Sequence, residues 1–270
     1  MINTMTIKQE KCKFCGNELE QKKMKFIIGD NEFTVIGKTA RCDCTRSKLY
    51  WKKVDDEKKE EERKKEYQRR LELRKKYYLM SKMNKRLKRY RFENYTTNID
   101  NKKAYEKSKQ YAESFVKGEN KDSLFITGGV GTGKTHLAAS IANYLIENEI
   151  PVIFGTLITL LNDIKDTYRI DGNCESDVIN KYSKVAMLII DDLGKERPSE
   201  WTLEKLFTIV NNRYENDLPI IITTNYNKEK LRKRLLCNYN EEIVDSIISR
   251  LYEMFRVIII FGKDKIKELV

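Results

Sequence analysis

The stretch Leu124-Phe-Ile-Thr-Gly-Gly-Val-Gly-Thr-Gly-Lys-Thr-His-Leu137 decides the fold. Leu124–Thr127 is a short apolar run suited to a buried strand. Leu137, Ile141, Tyr144 and Leu145 then fall on one helical face. The glycine-rich segment between them fits G-x-x-x-x-G-K-[ST] in its required strand–loop–helix setting. Glycines there let backbone N–H groups turn inward and cradle phosphate oxygens. The following helix aims its N-terminus at the same anion. The expected nucleotide-contacting run is Gly128, Gly129, Val130, Gly131, Thr132, Gly133, Lys134 and Thr135. Lys134 is placed to reach the β- and γ-phosphates of ATP and Thr135 to ligate Mg2+. His136 follows in the first turn of the helix and is counted with this run, as a packing or capping group rather than a base.

Outward from this loop, the same alternation continues. Val152–Phe154, Met187–Ile190, Ile220–Thr223 and Val257–Phe261 are further apolar runs. Between them lie the helical faces Leu157/Leu160/Leu161/Ile164/Tyr168 and Leu203/Leu206/Phe207/Val210/Tyr214. Continuous apolar strands alternating with amphipathic helices predict an α/β fold with a five-stranded parallel sheet flanked by helices. The run Val185-Ala-Met-Leu-Ile-Ile-Asp-Asp192 ends a strand in two carboxylates beside the phosphate loop, the Walker B arrangement. Asp191 is expected to hold Mg2+ and Asp192 to polarise the attacking water. Ile221-Ile-Thr-Thr-Asn225 ends the next strand in polar groups at the carboxyl edge, where ligands of such sheets bind. Asn225 is the candidate to reach the γ-phosphate, with Thr223 and Thr224 as alternatives. Arg250 lies on a late helix whose apolar face is Ile243, Ile247 and Leu251; it reads either as a finger on a neighbouring subunit's nucleotide or as a surface ion pair.

The front of the chain has a different composition. Cys12, Cys15, Cys42 and Cys44 flank two β-prone runs around Gly29-Asp30-Asn31, a Cys-x2-Cys, hairpin, Cys-x-Cys plan like that of a zinc ribbon. The one His of the chain is His136, so a zinc site here has four Cys ligands. So short a segment has little core and needs such a staple. Cys174 and Cys237 read as ordinary small apolar residues. Residues 51–91 contain no Gly or Pro. They hold 18 Lys/Arg against eight Asp/Glu, and so carry ten of the chain's twelve net positive charges. Glu60/Lys64, Glu61/Lys65 and Glu66/Arg70 are helix-supporting pairs. A long exposed helix, broken near Ser81–Asn84, is expected. It is a solvated spacer, a phosphate-tracking surface or a docking arm for a protein. Lys228-Glu-Lys230-Leu-Arg232-Lys-Arg234 is a second basic cluster. The division expected is 1–50, a zinc-ribbon-like four-cysteine module; 51–91, a basic helical arm; and 92–270, the ATPase domain.

The 270 residues hold 53 Lys+Arg and 41 Asp+Glu, a net charge of +12. That excludes a uniformly acidic surface and favours a polyanionic partner. Hydrophobic content of 40% supports a proper core, and three prolines leave no Pro-rich linker. No apolar run approaches the roughly 18 residues of a membrane span, and Met1–Lys13 lacks the apolar core of a signal peptide. A cytoplasmic protein without a membrane partner is expected.

The phosphate loop, Ile189-Ile-Asp191-Asp192-Leu-Gly194, Asn211-Asn-Arg213-Tyr214, Leu218-Pro-Ile-Ile-Ile-Thr-Thr-Asn225 and Ser249-Arg250-Leu251 together resemble AAA+ helicase loaders of the DnaC/DnaI type. The related IstB transposition helpers share most of these motifs. The resemblance covers roughly residues 92–262, and the cysteine-rich front resembles that of low-GC Gram-positive and phage members. It implies Walker A at Gly128–Thr135, Walker B at Asp191 and Asp192, sensor 1 at Asn225 and an arginine finger acting in trans at Arg250. It further implies a ring or spiral of copies, single-stranded DNA binding and loading of a hexameric replicative helicase, with the N-terminal part contacting the helicase. The 20 residues after Arg250 are too few for a C-terminal helical lid, which implies weak intrinsic hydrolysis. Lys265 and Ile266 stand where many relatives have an Arg, so no sensor 2 residue is assigned. Two other functions stand beside a loader: an IstB-like helper of transposition, and an adaptor whose ATPase is vestigial, which intact Lys134, Thr135, Asp191 and Asp192 argue against.

Overall fold

The computed structural model describes residues 10–19, 21–28, 31–39, 41–168, 174–196, 198–236 and 241–261. Cys237 and the Gly262–Ile266 tail lie outside them, as do Gly29 and Asp30 of the expected turn. The chain divides into two compact units, Met1–Arg69 and Arg70–Val270.

In the first unit, a bridge between Lys11 and Glu18 closes the loop that carries Cys12 and Cys15. The expected hairpin follows. Strand β1 (Gln21–Ile28) pairs antiparallel with β2 (Asn31–Thr39), with Phe26 opposite Phe33. Helix α1 (Thr45–Met80), 36 residues long, starts directly after the second cysteine pair, and the division between the units falls within it, after Arg69. It stops at the expected break. Its ion pairs are only partly those the sequence predicts. Glu61 does meet Lys65 at 2.7 Å. Glu60 instead pairs with Arg63, and Glu66 with Arg69 at 2.7 Å. Both i,i+3 and i,i+4 neighbours are within reach on a helix, and Arg70 pairs with Glu149 instead.

In the second unit, the end of α1 leads through a 3-10 turn (Leu87–Arg89) to α2 (Lys102–Val116), β3 (Ser123–Gly128) and α3 (Lys134–Glu147). Then come β4 (Val152–Thr156), α4 (Leu157–Thr167), α5 (Glu175–Lys184) and β5 (Met187–Asp191). The remainder is α6 (Glu200–Glu215), β6 (Ile220–Thr224), α7 (Lys228–Leu235), α8 (Glu241–Met254) and β7 (Phe255–Ile260). Five strands form one parallel sheet in the order β4-β5-β6-β3-β7. All five expected strands are present.

Period-two alternation sorts the strand side chains onto two cores. Leu188, Ile190, Ile220, Ile222 and Phe125 face one core with α4 to α8. Met187, Ile189, Ile221, Leu124 and Ile126 face the other with α2 and α3. Each fully buried Leu or Ile contributes about 1.5–3 kcal/mol, which is why these runs read as unbroken apolar stretches. Edge strand β7 is the exception: Ile258 and Ile260 are buried while Val257 and Ile259 are exposed. Arg213 is fully buried on α6 and donates to the carbonyls of Tyr182, Val185, Ala186 and Pro219. It clasps the end of α5 and the entries to β5 and β6. Among the described residues no helix is long and apolar enough to cross a membrane.

Candidate nucleotide and metal sites

Parallel strands deliver their carboxyl ends to one edge of the sheet, so residues far apart in sequence meet there. The loop after β3 enters through Gly128, where a Cβ would lie 2.4 Å from the Ile260 carbonyl oxygen. It leaves through Gly133, at φ 96°, where a Cβ would lie 2.8 Å from the Tyr95 hydroxyl. Neither position accepts a side chain. The loop thus keeps its turn because backbone and ring close on it from both sides. Thr132 is buried, and its hydroxyl donates to the Gly129 carbonyl at 2.9 Å.

Lys134 is 5% exposed and folds back on the loop, its Nζ 3.0 Å from the Gly128 oxygen and 2.6 Å from that of Gly129. Burial lowers its pKa from the ordinary lysine value. The Thr135 hydroxyl lies 3.0 Å from both Asp191 carboxylate oxygens, joining the first turn of α3 to the end of β5. Burial raises the Asp191 carboxyl, partly opposed by the Thr223 hydroxyl, which donates to Oδ1 at 2.6 Å. Thr223 also accepts the Asp192 backbone N–H at 2.8 Å. Thr224 donates to the Leu193 carbonyl at 2.7 Å. Both threonines therefore fasten the neighbouring strand end, and Asn225 is the residue of that trio that lines the cleft. Asp192, at φ 59°, sits in the left-handed region that non-glycine residues seldom adopt.

These groups share an open cleft of about 710 Å3. One wall is Val130, Gly131, Gly133, Lys134 and Thr135, facing Asp191, Asp192 and Asn225. The other wall was not foreseen: it is Lys82, Asn84, Arg86, Leu87 and Tyr90, from the segment after α1. Asn143 of α3 pins that segment by donating to the Leu87 and Tyr90 carbonyls at 2.9 and 2.6 Å. The aromatic run Tyr90-Arg-Phe-Glu-Asn-Tyr95, which straddles the expected start of the domain, signals that the segment packs but not where. His136 lines the cleft, but its ring stacks on Tyr90 at 4.2 Å, and Nε2 meets the Arg91 carbonyl and Asn94 Oδ1. The packing role fits it. Lys195, also unforeseen, lines the cleft beside Asp192.

Arg250 does not line this cleft. Its guanidinium lies over Phe207 at 4.9 Å, with Nη1 3.3 Å from the Ser246 carbonyl. In the second basic cluster, Arg232 pairs with Asp245 and Arg234 bonds the Tyr226 hydroxyl. Their charge is therefore partly committed within the fold. Cys174 is exposed, with Sγ 2.9 Å from the Ser176 hydroxyl. The expectation of an ordinary small apolar residue is corrected in that Cys174 stands exposed at the N-cap position of α5, where its side chain makes no cap hydrogen bond.

The first unit holds the second site. The sulfurs of Cys12, Cys15, Cys42 and Cys44 all lie within 4.8 Å of one another. Cys12 and Cys44 are 4.0 Å apart, and Cys15 and Cys42 3.4 Å. A tetrahedral zinc with 2.3 Å bonds needs sulfur edges of about 3.8 Å, so the donor set fits. The thiols share protons unevenly: the Phe14 backbone N–H draws that of Cys12 down to about 7, while the neighbouring Cys42 thiol helps push that of Cys15 up to about 12. The Ser47 N–H points at Cys44 Sγ at 3.4 Å, a further hydrogen bond suited to a sulfur ligand.

Residues 41–266 match the family described as IstB-like ATP binding protein, and the chain belongs to that family. The replicative helicase loader DnaC of Escherichia coli (strain K12) is 34% identical over 145 residues, which is 53% of this chain and 58% of that protein. The chain thus spans under two thirds of this curated relative. The crystal structure of the DnaC helicase loader superposes with a TM-score of 0.55 at 28% identity, covering 66% of this chain and all of that one. The replication initiator DnaA bound to AMPPCP and single-stranded DNA gives a TM-score of 0.55 at 25% identity, covering 70% and 55%. The AAA+ α/β fold expected from the sequence is the one these structures share.

Proposed function

We propose that this IstB-like ATP binding protein is a weak AAA+ ATPase that loads a replicative helicase onto single-stranded DNA in the cytoplasm. The observation that carries the reading is the intact set Lys134, Thr135, Asp191 and Asp192 around one cleft, on a fold and sequence similar to a DnaC loader.

In this reading the backbone of Gly128–Thr135 and the N-terminus of α3 bind the nucleotide's phosphates. Lys134 exchanges two loop carbonyls for phosphate oxygens. Thr135 and Asp191, already in contact, hold Mg2+, which neutralises charge on the transferring phosphate. Asp192 takes the proton of the attacking water, and Asn225 orients that water. Arg250 serves a neighbouring copy's nucleotide, in keeping with its position away from its own cleft, and the copies form a ring or spiral. The four cysteines hold one zinc that shapes the N-terminal module. That module and the basic arm, within the divisions 1–50 and 51–91, meet the helicase ahead of the ATPase domain 92–270.

The test is loading of a hexameric replicative helicase onto a forked DNA, read as unwinding, with ATP and with Lys134→Ala. Loss of ATP-dependent loading is expected. Undiminished loading by the variant removes nucleotide as the switch. The family's IstB description supports a second reading, an ATPase helper of transposition. Capture of a transposase rather than a helicase by the full chain selects it.

A further inference from the structure

Beside the cysteine cluster lies a surface that the nucleotide site does not use. Phe14, Tyr50 and Trp51 form an unbroken row of rings, with centroids 5.2 Å apart for the first pair and 5.3 Å for the second. Lys13 Nζ stands 3.8 Å from the Tyr50 centroid, and the Arg41 guanidinium 4.5 Å from that of Trp51. Asp55 holds Arg41 in that place, accepting Nη2 at 2.8 Å. Along α1, Arg46, Leu49, Tyr50 and Lys53 recur at i, i+3, i+4 and i+7, the spacing of one helix face. All four are exposed, Tyr50 by 39%.

We propose that this face of the four-cysteine module binds single-stranded nucleic acid, with Tyr50 stacking on a base and Lys13, Arg46 and Lys53 meeting phosphates. Two features select that partner. Rings bordered by cations are how proteins grip single strands without reading sequence, since every base offers a π-face. A duplex keeps its bases stacked on one another and offers none to a lone tyrosine. The charge is local rather than general: Arg41 pairs with Asp55, Lys48 with Asp43 at 3.3 Å and Lys53 loosely with Glu57 at 3.8 Å. Lys13 and Arg46 are the cations beside Tyr50 that no such carboxylate holds among the described residues, and Lys53 can exchange its exposed partner for a phosphate. An apolar protein surface would need the aliphatic anchors that this face lacks apart from Leu49, and an acidic one would use the cations but not the exposed ring of Tyr50. The surface shares no residue with the ATP cleft, so its failure leaves the loader reading standing.

The experiment measures binding of a fluorescein-labelled dT20 to the full chain by anisotropy, without nucleotide, between 50 and 200 mM salt. Tyr50→Ala is expected to weaken binding about fivefold or more, while Tyr50→Trp retains it. Lys13→Gln with Lys53→Gln should flatten the salt dependence by roughly one unit of slope per lost contact. Photocrosslinking of an iodouracil-substituted strand should mark peptides containing Phe14 or Tyr50, which separates this face from the ATPase domain. Zinc content and helicity serve as fold controls; if Tyr50→Ala loses zinc, the lysine pair and the crosslink carry the test. Wild-type binding by the folded variants, or crosslinks confined to residues 92–270, overturns the proposal. So does loss of helicase capture with oligonucleotide binding unchanged, which would make the face a protein dock.

Discussion

Asp192 meets the cleft already paired: Lys195 Nζ lies 2.6 Å from its Oδ2, one turn along the chain. The carboxylate expected to take a proton from water is thus neutralised by an ammonium whose own pKa the pair raises. Lys195 is 55% exposed, so the pair is worth at most about 1 kcal/mol, or fivefold in rate. Lys195→Ala is expected to raise basal ATP hydrolysis two- to fivefold, measured as phosphate release, while Asp192→Asn lowers it by about 100-fold or more. A fall in basal rate for Lys195→Ala would mean that the lysine assists the phosphates instead of holding Asp192 back.

Asp191 carries a different burden. It is 6% exposed, and burial raises its carboxyl above the ordinary aspartate value. A raised folded-state pKa means its stabilising contribution is complete below the unfolded value near 4 and is lost as pH rises through the folded one. Asp191→Asn removes that penalty at neutral pH and still accepts from the Thr135 and Thr223 hydroxyls. The nucleotide-free variant is therefore expected to melt about 2–4 °C higher at pH 7, with the gain shrinking toward pH 4, while Mg2+-dependent nucleotide binding is lost. A melting point equal to or below wild type at pH 7 contradicts the burial argument.

The strands, the phosphate loop and the paired carboxylates were legible because each is a local pattern: apolar runs, glycine spacing, a strand ending in acid. The break after α1 was legible for the same reason. What escaped the sequence was set by long-range contact. Nothing near Lys82–Tyr90 announces that Asn143 will pin it as a cleft wall. Thr223 looked like a candidate for the phosphate, yet its hydroxyl is consumed by Asp191 and the Asp192 N–H. Glu66 pairs with Arg69 because Arg70 has a tertiary partner in Glu149, which helical spacing alone cannot reveal.

The cysteine cluster predicts one zinc per chain by mass spectrometry of the native protein. Cys42→Ser should release it and lower the melting point of the first unit, because a short segment without metal retains little core. The ATP cleft belongs to the second unit, so nucleotide binding by the variant should stay within about twofold of wild type; a 1.4 kcal/mol change would be tenfold. Native protein lacking stoichiometric zinc but retaining helicity and protease resistance of residues 10–60 would remove the metal from the account.

Arg213 makes the strongest stability prediction. It is 0% exposed and its two terminal nitrogens reach four backbone carbonyls, while among the described residues no acidic group partners its guanidinium. Burial without a counter-ion lowers its pKa. Its role is to satisfy carbonyls at the end of α5 and before β5 and β6 that the sheet leaves open. Arg213→Ala strands those acceptors and opens a cavity, and breaking a buried charged network costs about 3–5 kcal/mol. Arg213→Lys keeps the charge but has one nitrogen where four carbonyls converge on a fork, so it should recover less than half of the loss. Urea unfolding of the nucleotide-free protein reads both. If Arg213→Ala costs under about 1 kcal/mol, the carbonyls are served by water and the clasp is not structural.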